Sequence, residues 1–187
     1  MIVQRLSLTH YRNYAALDVD FSSGINVIYG DNAQGKTNLI EAIEYLSGCR
    51  SHRARGDRDL IAFDAQEALV VGDLISRNRV FRLEAHLRRG QRRGLKRNGV
   101  KLKTASELAG ILNTVLFCPE DLYLIRAGAA ARRSFLDSAI CQMRPRYMAA
   151  LSEYKRLHEQ KTRILRDWQE QPGLLDLLED YNIRMCQ

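Results

Sequence analysis

Residues 30–37 read GDNAQGKT, which places two glycines and a Lys-Thr pair at the spacing G-x-x-x-x-G-K-[ST], between an apolar run, Ile25 to Tyr29, and an amphipathic stretch. A backbone that curls until successive N–H groups converge needs residues without a Cβ at its bends, and Gly30 and Gly35 supply them. The run 25–29 predicts a buried strand feeding the loop. Leu39, Ile40, Ile43 and Leu46 then recur at helical spacing as far as Gly48, a predicted C-cap. That order aims the free N–H groups and positive end of a helix at whatever the loop encloses. A triphosphate tail suits such a cradle. Gly30, Asp31, Asn32, Ala33, Gln34, Gly35, Lys36, Thr37 and Asn38 are the predicted nucleotide-binding residues, with Lys36 on the β- and γ-phosphates and the Thr37 hydroxyl on Mg2+.

Other chemistries find no support in the residue pattern. The cysteines Cys49, Cys118, Cys141 and Cys186 are widely separated, and the histidines His10, His52, His86 and His158 are isolated, so neither a zinc site, a disulfide framework nor a Ser/His/Asp arrangement is indicated. With no run of eighteen apolar residues and a polar, alternating start after Met1, the expectation is a soluble, cytoplasmic protein with no membrane partner.

The net charge is +7 and its distribution is uneven. Arg88, Arg89, Arg92, Arg93, Lys96, Arg97, Lys101 and Lys103 follow one another without an intervening acid, and removing those eight leaves −1 for the rest of the chain. The local positive field fits a polyanion docked on one face, with Arg88, Arg89, Arg92, Arg93, Lys96 and Arg97 as candidate DNA contacts. A solvated basic hairpin without a partner fits the same residues.

Residues 2–9 and 16–21 alternate as strands, as do 68–75 and 80–87, and Asn98-Gly99 is a hairpin turn inside the basic region. Thr104-x-x-Glu107 reads as a capping box opening a short helix to Leu112, and 114–117 reads as another buried strand. Helices are expected from Ser134, from Pro145 to Trp168, and from Leu174 to Cys186 after the Gln171-Pro172-Gly173 break.

The segments LTHYRNYAALDVDF, GDNAQGKTNLIEAIEYL, CRSHRARGDRDLI and FCPEDLYLIRAGAAARRSFLD, in that order, resemble the RecF family of bacterial recombinational-repair ATPases. The resemblance implies an α/β P-loop NTPase fold of the ABC and SMC/Rad50-like head type, with an added antiparallel β layer and a following α-helical segment. The division expected is 1–143 as the amino-terminal lobe and 144–187 as the start of a helical insertion. It further implies ATP and Mg2+ as cofactors, an ATP-dependent homodimer on DNA at gaps and single-strand/double-strand junctions, and RecO and RecR as partners in loading RecA during repair, replication restart and the SOS response. Asn32 matches an asparagine near the γ-phosphate, and Arg12 an arginine near the nucleotide; a salt bridge is the other reading of Arg12. Glu120 and Asp121 stand where related ATPases sense the metal, or else cap the next helix. Arg132 and Arg133 match an arginine pair of the family, whose neighbouring proline is Ala129 here, and one of its loop glycines is Ala33.

Hydrolysis in this class also needs a strand ending in Asp-Glu and a signature loop from the opposing subunit. Neither is found: ALVVGD, LLDLLED and Leu46-Ser47-Gly48 resemble them only in letters. The expectation is therefore an amino-terminal half without catalytic residues, belonging to a slow DNA-dependent ATPase. A chromosome-maintenance head and a DNA-binding module with a vestigial loop are the alternatives.

Overall fold

The computed structural model describes residues 1–124, 126, 128–170 and 172–186, with the side chains of Glu120, Tyr123 and Pro172 outside that description. The chain divides into two units, Met1–Pro145 and Arg146–Gln187. The first holds a six-stranded sheet in the order β2-β1-β3-β4-β5-β6, antiparallel throughout: β1 Ile2–Tyr11, β2 Tyr14–Asp20, β3 Glu67–Ser76, β4 Arg79–Arg88, β5 Gly94–Arg97 and β6 Val100–Leu102. Between β1-β2 and β3 the chain passes through the glycine-rich loop and α1, Lys36–Gly48.

Alternation along the strands sorts the side chains onto two faces. On the inner face Leu6 and Leu8 stand opposite Gly72 and Val70, and Leu83, Ala85 and Leu87 continue the layer on β4, with Leu95 and Leu102 beyond. The outer face carries a lattice of opposite charges: Arg5 with Asp18 at 3.1 Å, Arg82 with Asp73 at 3.1 Å, and Arg88 with Glu67 at 3.1 Å. Two-residue turns close three of the hairpins, at Arg12-Asn13, Arg77-Asn78 and Asn98-Gly99. Arg77-Asn78 and Asn98-Gly99 both have positive φ at both positions, the type I′ geometry that matches strand twist, and the Asn98 side chain accepts the Arg82 N–H at 2.7 Å.

α1 lies over the inner face with Leu39, Ala42, Tyr45 and Leu46 buried. Gly72 makes room for it: a Cβ there would sit 2.5 Å from Leu46 Cδ1. Gly72→Ala is expected to destabilise the unit by about 1–2 kcal/mol, because Leu46 must leave a packed rotamer, and a shift in the urea midpoint at constant m-value measures it.

In three places the elements depart from expectation. Residues 25–29 form no strand and pair with none among the described residues, and Ile25 and Tyr29 are 91% and 90% exposed. Residues 114–117 likewise lack a ladder, and Val115 and Phe117 face solvent. There the Gln142 side chain answers the backbone of Thr114, accepting its N–H at 2.6 Å and donating to its carbonyl at 3.0 Å. Helical character after the Thr104/Glu107 capping box stops at a short 3-10 turn, Ala105–Glu107, and the left-handed Gly110 turns the chain soon after.

α2, Ala129–Met143, completes the first unit. The second unit takes α3, Pro145–Asp167, from its second residue onward, then a 3-10 turn, Pro172–Leu177, and α4, Leu178–Cys186, with Lys161 donating to Asn182 at 2.6 Å and Arg184 pairing with Glu153 at 3.5 Å. Among the described residues no helix is long and apolar enough to cross a membrane.

Candidate nucleotide-binding site

The loop turns through left-handed backbone at Gly30 (φ 140°), Ala33 (φ 64°) and Gly35 (φ 101°). The first and last are glycines because a Cβ is costly there, while Ala33 tolerates the ordinary αL well at a cost of about 1 kcal/mol. Gly35 is the N-cap of α1 and its carbonyl accepts the Leu39 N–H at 3.0 Å. No side chain caps this helix and no acid occupies its first turn. Its opening N–H groups and positive end are therefore unspent, which favours an anion. The Lys36 ammonium folds back onto the loop, donating to the carbonyls of Gly30 at 2.7 Å and Asp31 at 2.5 Å. A phosphate oxygen is a stronger acceptor than either carbonyl, so an entering polyphosphate can take over that ammonium. Asp31, Asn32, Ala33, Gln34 and Thr37 are exposed around the loop.

Arg12 lies beside this loop but is engaged elsewhere. Its Nε and Nη2 hold the Glu41 carboxylate at 3.0 and 2.7 Å, and its Nη1 donates to the Asp59 carbonyl at 2.7 Å. Glu41 is fully buried in α1 and also accepts from Ser51. Burial is the largest influence on Glu41 and pushes its pKa up, but the hydrogen bonds and charges of Arg12, with Ser51 and Arg53, outweigh it and hold the carboxyl below the usual range. The salt-bridge reading of Arg12 is thus the arrangement observed, binding the β1–β2 turn to α1.

Sequence reading passed over Glu41, although a carboxylate one turn before the buried Tyr45 is an available signal of a buried partner. It also passed over Asn13, whose side chain touches the loop itself.

The basic region separates into spent and unspent cations. Arg89 donates to the carbonyls of Ala65 at 2.9 Å and Ala62 at 3.1 Å. Arg93 pairs with Asp57 at 2.8 Å, lies 5.7 Å from the Tyr45 ring centroid and donates to the Cys49 carbonyl at the left-handed C-cap of α1. That C-cap falls one residue beyond the expected Gly48. Burial pushes the Cys49 thiol up to about 11, so it stays protonated near neutral pH. Arg88 is paired with Glu67, Lys96 approaches Glu84 at 3.9 Å, and Arg97 lies near Glu107. Arg92, Lys101 and Lys103 are exposed and pair with no acid among the described residues.

Asp121 accepts the Cys118 N–H at 2.7 Å, the capping role, whereas the Glu120 side chain lies outside the described residues. Arg132 and Arg133 are exposed where the first turn of α2 passes into the second. Among the described residues no group of three or more His, Cys, Asp or Glu side chains gathers as a metal site.

The AAA domain family matches residues 5–183. A DNA replication and repair protein RecF from Agathobacter rectalis is 40% identical over 188 residues, spanning 100% of this chain and 52% of the relative. The chain is a RecF-type member of the AAA domain family. The protein of that name from Bacillus subtilis is 38% identical over 190 residues, covering 100% of this chain and 51% of the relative. This RecF-type chain thus corresponds to the amino-terminal half, about half the length of the curated relatives it matches. A solved structure of the recombination mediator protein RecF with ATP superposes with a TM-score of 0.91 at 32% identity, over 98% of this chain and 50% of that one. An SMC ATPase structure shares the fold at a TM-score of 0.60 and 22% identity, over 74% of this chain and 99% of that one. The fold is therefore the P-loop head shared by RecF and SMC proteins, with its antiparallel sheet and helices.

Proposed function

We propose that this chain supplies the nucleotide-gripping half of an ATP-dependent DNA-binding switch in recombinational repair and replication restart. One observation carries the reading: the N-terminus of α1, without a capping side chain or an acid, opens directly behind Gly35 and Lys36. ATP enters with its phosphates on residues 30–38, Asn32 near the γ-phosphate and Mg2+ on the Thr37 hydroxyl. Arg12 contributes from beside the site by holding the β1–β2 turn against α1. The relative solved with ATP supports the choice of nucleotide.

In the whole protein, two such heads dimerise on DNA at gaps and single-strand/double-strand junctions, and slow ATP turnover releases them. RecO and RecR join there in promoting RecA loading. The unpaired apolar segments 25–29 and 114–117 support this division of labour. They are surfaces that the remaining half of a protein of the relatives' length would cover, with residues from 144 onward beginning a helical insertion.

DNA phosphates meet the β5–β6 region. Its unspent cations, Arg92, Lys101 and Lys103, are the leading contacts, with Lys96, Arg97 and Arg88 able to exchange surface acids for phosphate, while Arg89 and Arg93 support the ribbon from within. The test is fluorescence anisotropy with gapped DNA and the full-length protein across a salt series. ATP is expected to tighten binding, and the triple reversal Arg92→Glu, Lys101→Glu, Lys103→Glu to lower the slope of log K against log salt by about 2–3. A slope unchanged by the reversal removes this surface as the DNA contact. DNA affinity indifferent to ATP removes the switch.

A further inference from the structure

The tip of the β1–β2 hairpin is built against the back of the phosphate loop. Arg12 and Asn13 make its two-residue turn between the paired Tyr11 and Tyr14, and Arg12 takes a left-handed backbone (φ 54°) that its three nitrogen contacts and its own N–H, donating to the Leu60 carbonyl at 2.8 Å, hold in place. This fixes where Asn13 projects. Its Nδ2 donates to the Gln34 carbonyl at 3.2 Å, and its Oδ1 accepts from Asn38 Nδ2 at 2.8 Å. Asn38 Oδ1 accepts in turn from Arg53 Nη1 at 2.9 Å. A relay of donors thus runs from a guanidinium through two side-chain amides to one carbonyl of the loop. Contact is close as well as polar: a Cβ on Gly35 would lie 2.7 Å from both amide heteroatoms of Asn13 and 2.8 Å from the Tyr14 hydroxyl.

A trans peptide sends its carbonyl and the following N–H in opposite directions. Holding the Gln34 carbonyl toward Asn13 therefore turns the Gly35 N–H away from the hairpin. Since Gly35 has no Cβ and sits in left-handed backbone at the head of α1, that peptide rotates at little cost and its orientation bears directly on an anion.

We propose that Asn13 is a positioning residue that locks the Gln34–Gly35 peptide of the phosphate loop and so aims the Gly35 N–H at the bound polyphosphate, with Asn38 acting in series through Asn13. This rests on the reading that the loop holds ATP. The single hydrogen bond to Gln34 replaces an ordering cost otherwise met when ATP binds, so its loss falls on affinity. Asn38 contributes by orienting the Asn13 amide, and Arg53 by orienting Asn38.

The test uses full-length protein and the variants Asn13→Ala, Asn13→Asp, Asn38→Ala and the double Asn13→Ala/Asn38→Ala, with two readouts: amide hydrogen exchange across residues 30–38 without nucleotide, and ATP affinity by calorimetry with Mg2+. Expected are faster exchange in the loop for Asn13→Ala, ATP affinity weakened about tenfold, a smaller loss for Asn38→Ala, and a double variant no weaker than Asn13→Ala. Asn13→Asp separates positioning from turn formation. Aspartate suits a turn as well as asparagine does but cannot donate to the Gln34 carbonyl, so it must be at least as damaging as alanine. Rescue by aspartate, additive losses in the double variant, or loop exchange and ATP affinity both unchanged in Asn13→Ala overturn the proposal. Should wild-type protein bind no ATP, the parent reading falls and with it the aim at phosphate, while the exchange measurement still decides whether Asn13 holds the loop.

Discussion

Lys36→Ala is expected to weaken ATP binding by about 100-fold or more while leaving the fold in place. In the structure the ammonium donates to the carbonyls of Gly30 and Asp31, an exposed arrangement within the loop, so truncation costs the folded state under about 1 kcal/mol. The bound state loses far more. A point charge with three donors that had exchanged neutral carbonyls for phosphate oxygens is gone, and the loop N–H groups, the helix end and the other loop side chains do not replace it. Losing one partner of a hydrogen-bonded charge pair costs about 2–5 kcal/mol, and about 3 kcal/mol corresponds to roughly 100-fold. Calorimetry of the full-length protein with Mg-ATP measures the loss, and thermal unfolding of the same samples measures the fold. Affinity within threefold of wild type at an unchanged unfolding temperature means that ATP sits elsewhere.

The largest effect on stability is expected at Glu41. Its carboxylate is fully buried, held by two nitrogens of Arg12 and by Ser51. Glu41→Ala leaves the Arg12 guanidinium one-fifth exposed and without its counter-ion, in a turn that is already left-handed. The expected cost is about 3–5 kcal/mol. Glu41→Gln keeps an acceptor and the shape, so its cost is smaller, about 1–3 kcal/mol. The pair also predicts a direction with pH. The folded-state pKa of Glu41 is depressed, so its stabilising contribution is complete above the ordinary glutamate range near pH 4.3 and is lost as pH falls through the lower, folded value. Urea unfolding of wild type and Glu41→Gln between pH 3 and 7 checks this. The gap between them should be widest at neutral pH and close in acid, whereas a gap that widens on acidification contradicts the assigned charge state.

These two residues differ in how far they could be read in advance. Lys36 belongs to a local pattern: the loop, the glycines that bend it and the helix behind it lie within twenty residues, and their spacing states their geometry. Glu41 depends on Arg12, 29 residues away, and no local period announces that the two meet. The same contrast runs through the basic region. Its eight cations and its Asn98-Gly99 turn are plain in the sequence, but which cations are available is a tertiary matter. Arg89 and Arg93 are drawn inward by carbonyls and an aromatic ring supplied from elsewhere in the chain, and Arg92, Lys101 and Lys103 are not.

By itself the sequence determined the phosphate loop and its helix, the alternating strands of the sheet and the helices that follow, because each is set by contacts between near neighbours and by backbone sterics. Only the tertiary structure decided that residues 25–29 and 114–117 stand unpaired, that Arg12 is tied to Glu41, and that Asn13 reaches the loop. A strand exists only where another strand answers its N–H and C=O groups, and a charged or amide side chain takes its role from whichever distant group completes its hydrogen bonds. Apolar character was enough to mark 25–29 as strand-like, but pairing is a property of two segments and no local pattern in one of them reports it.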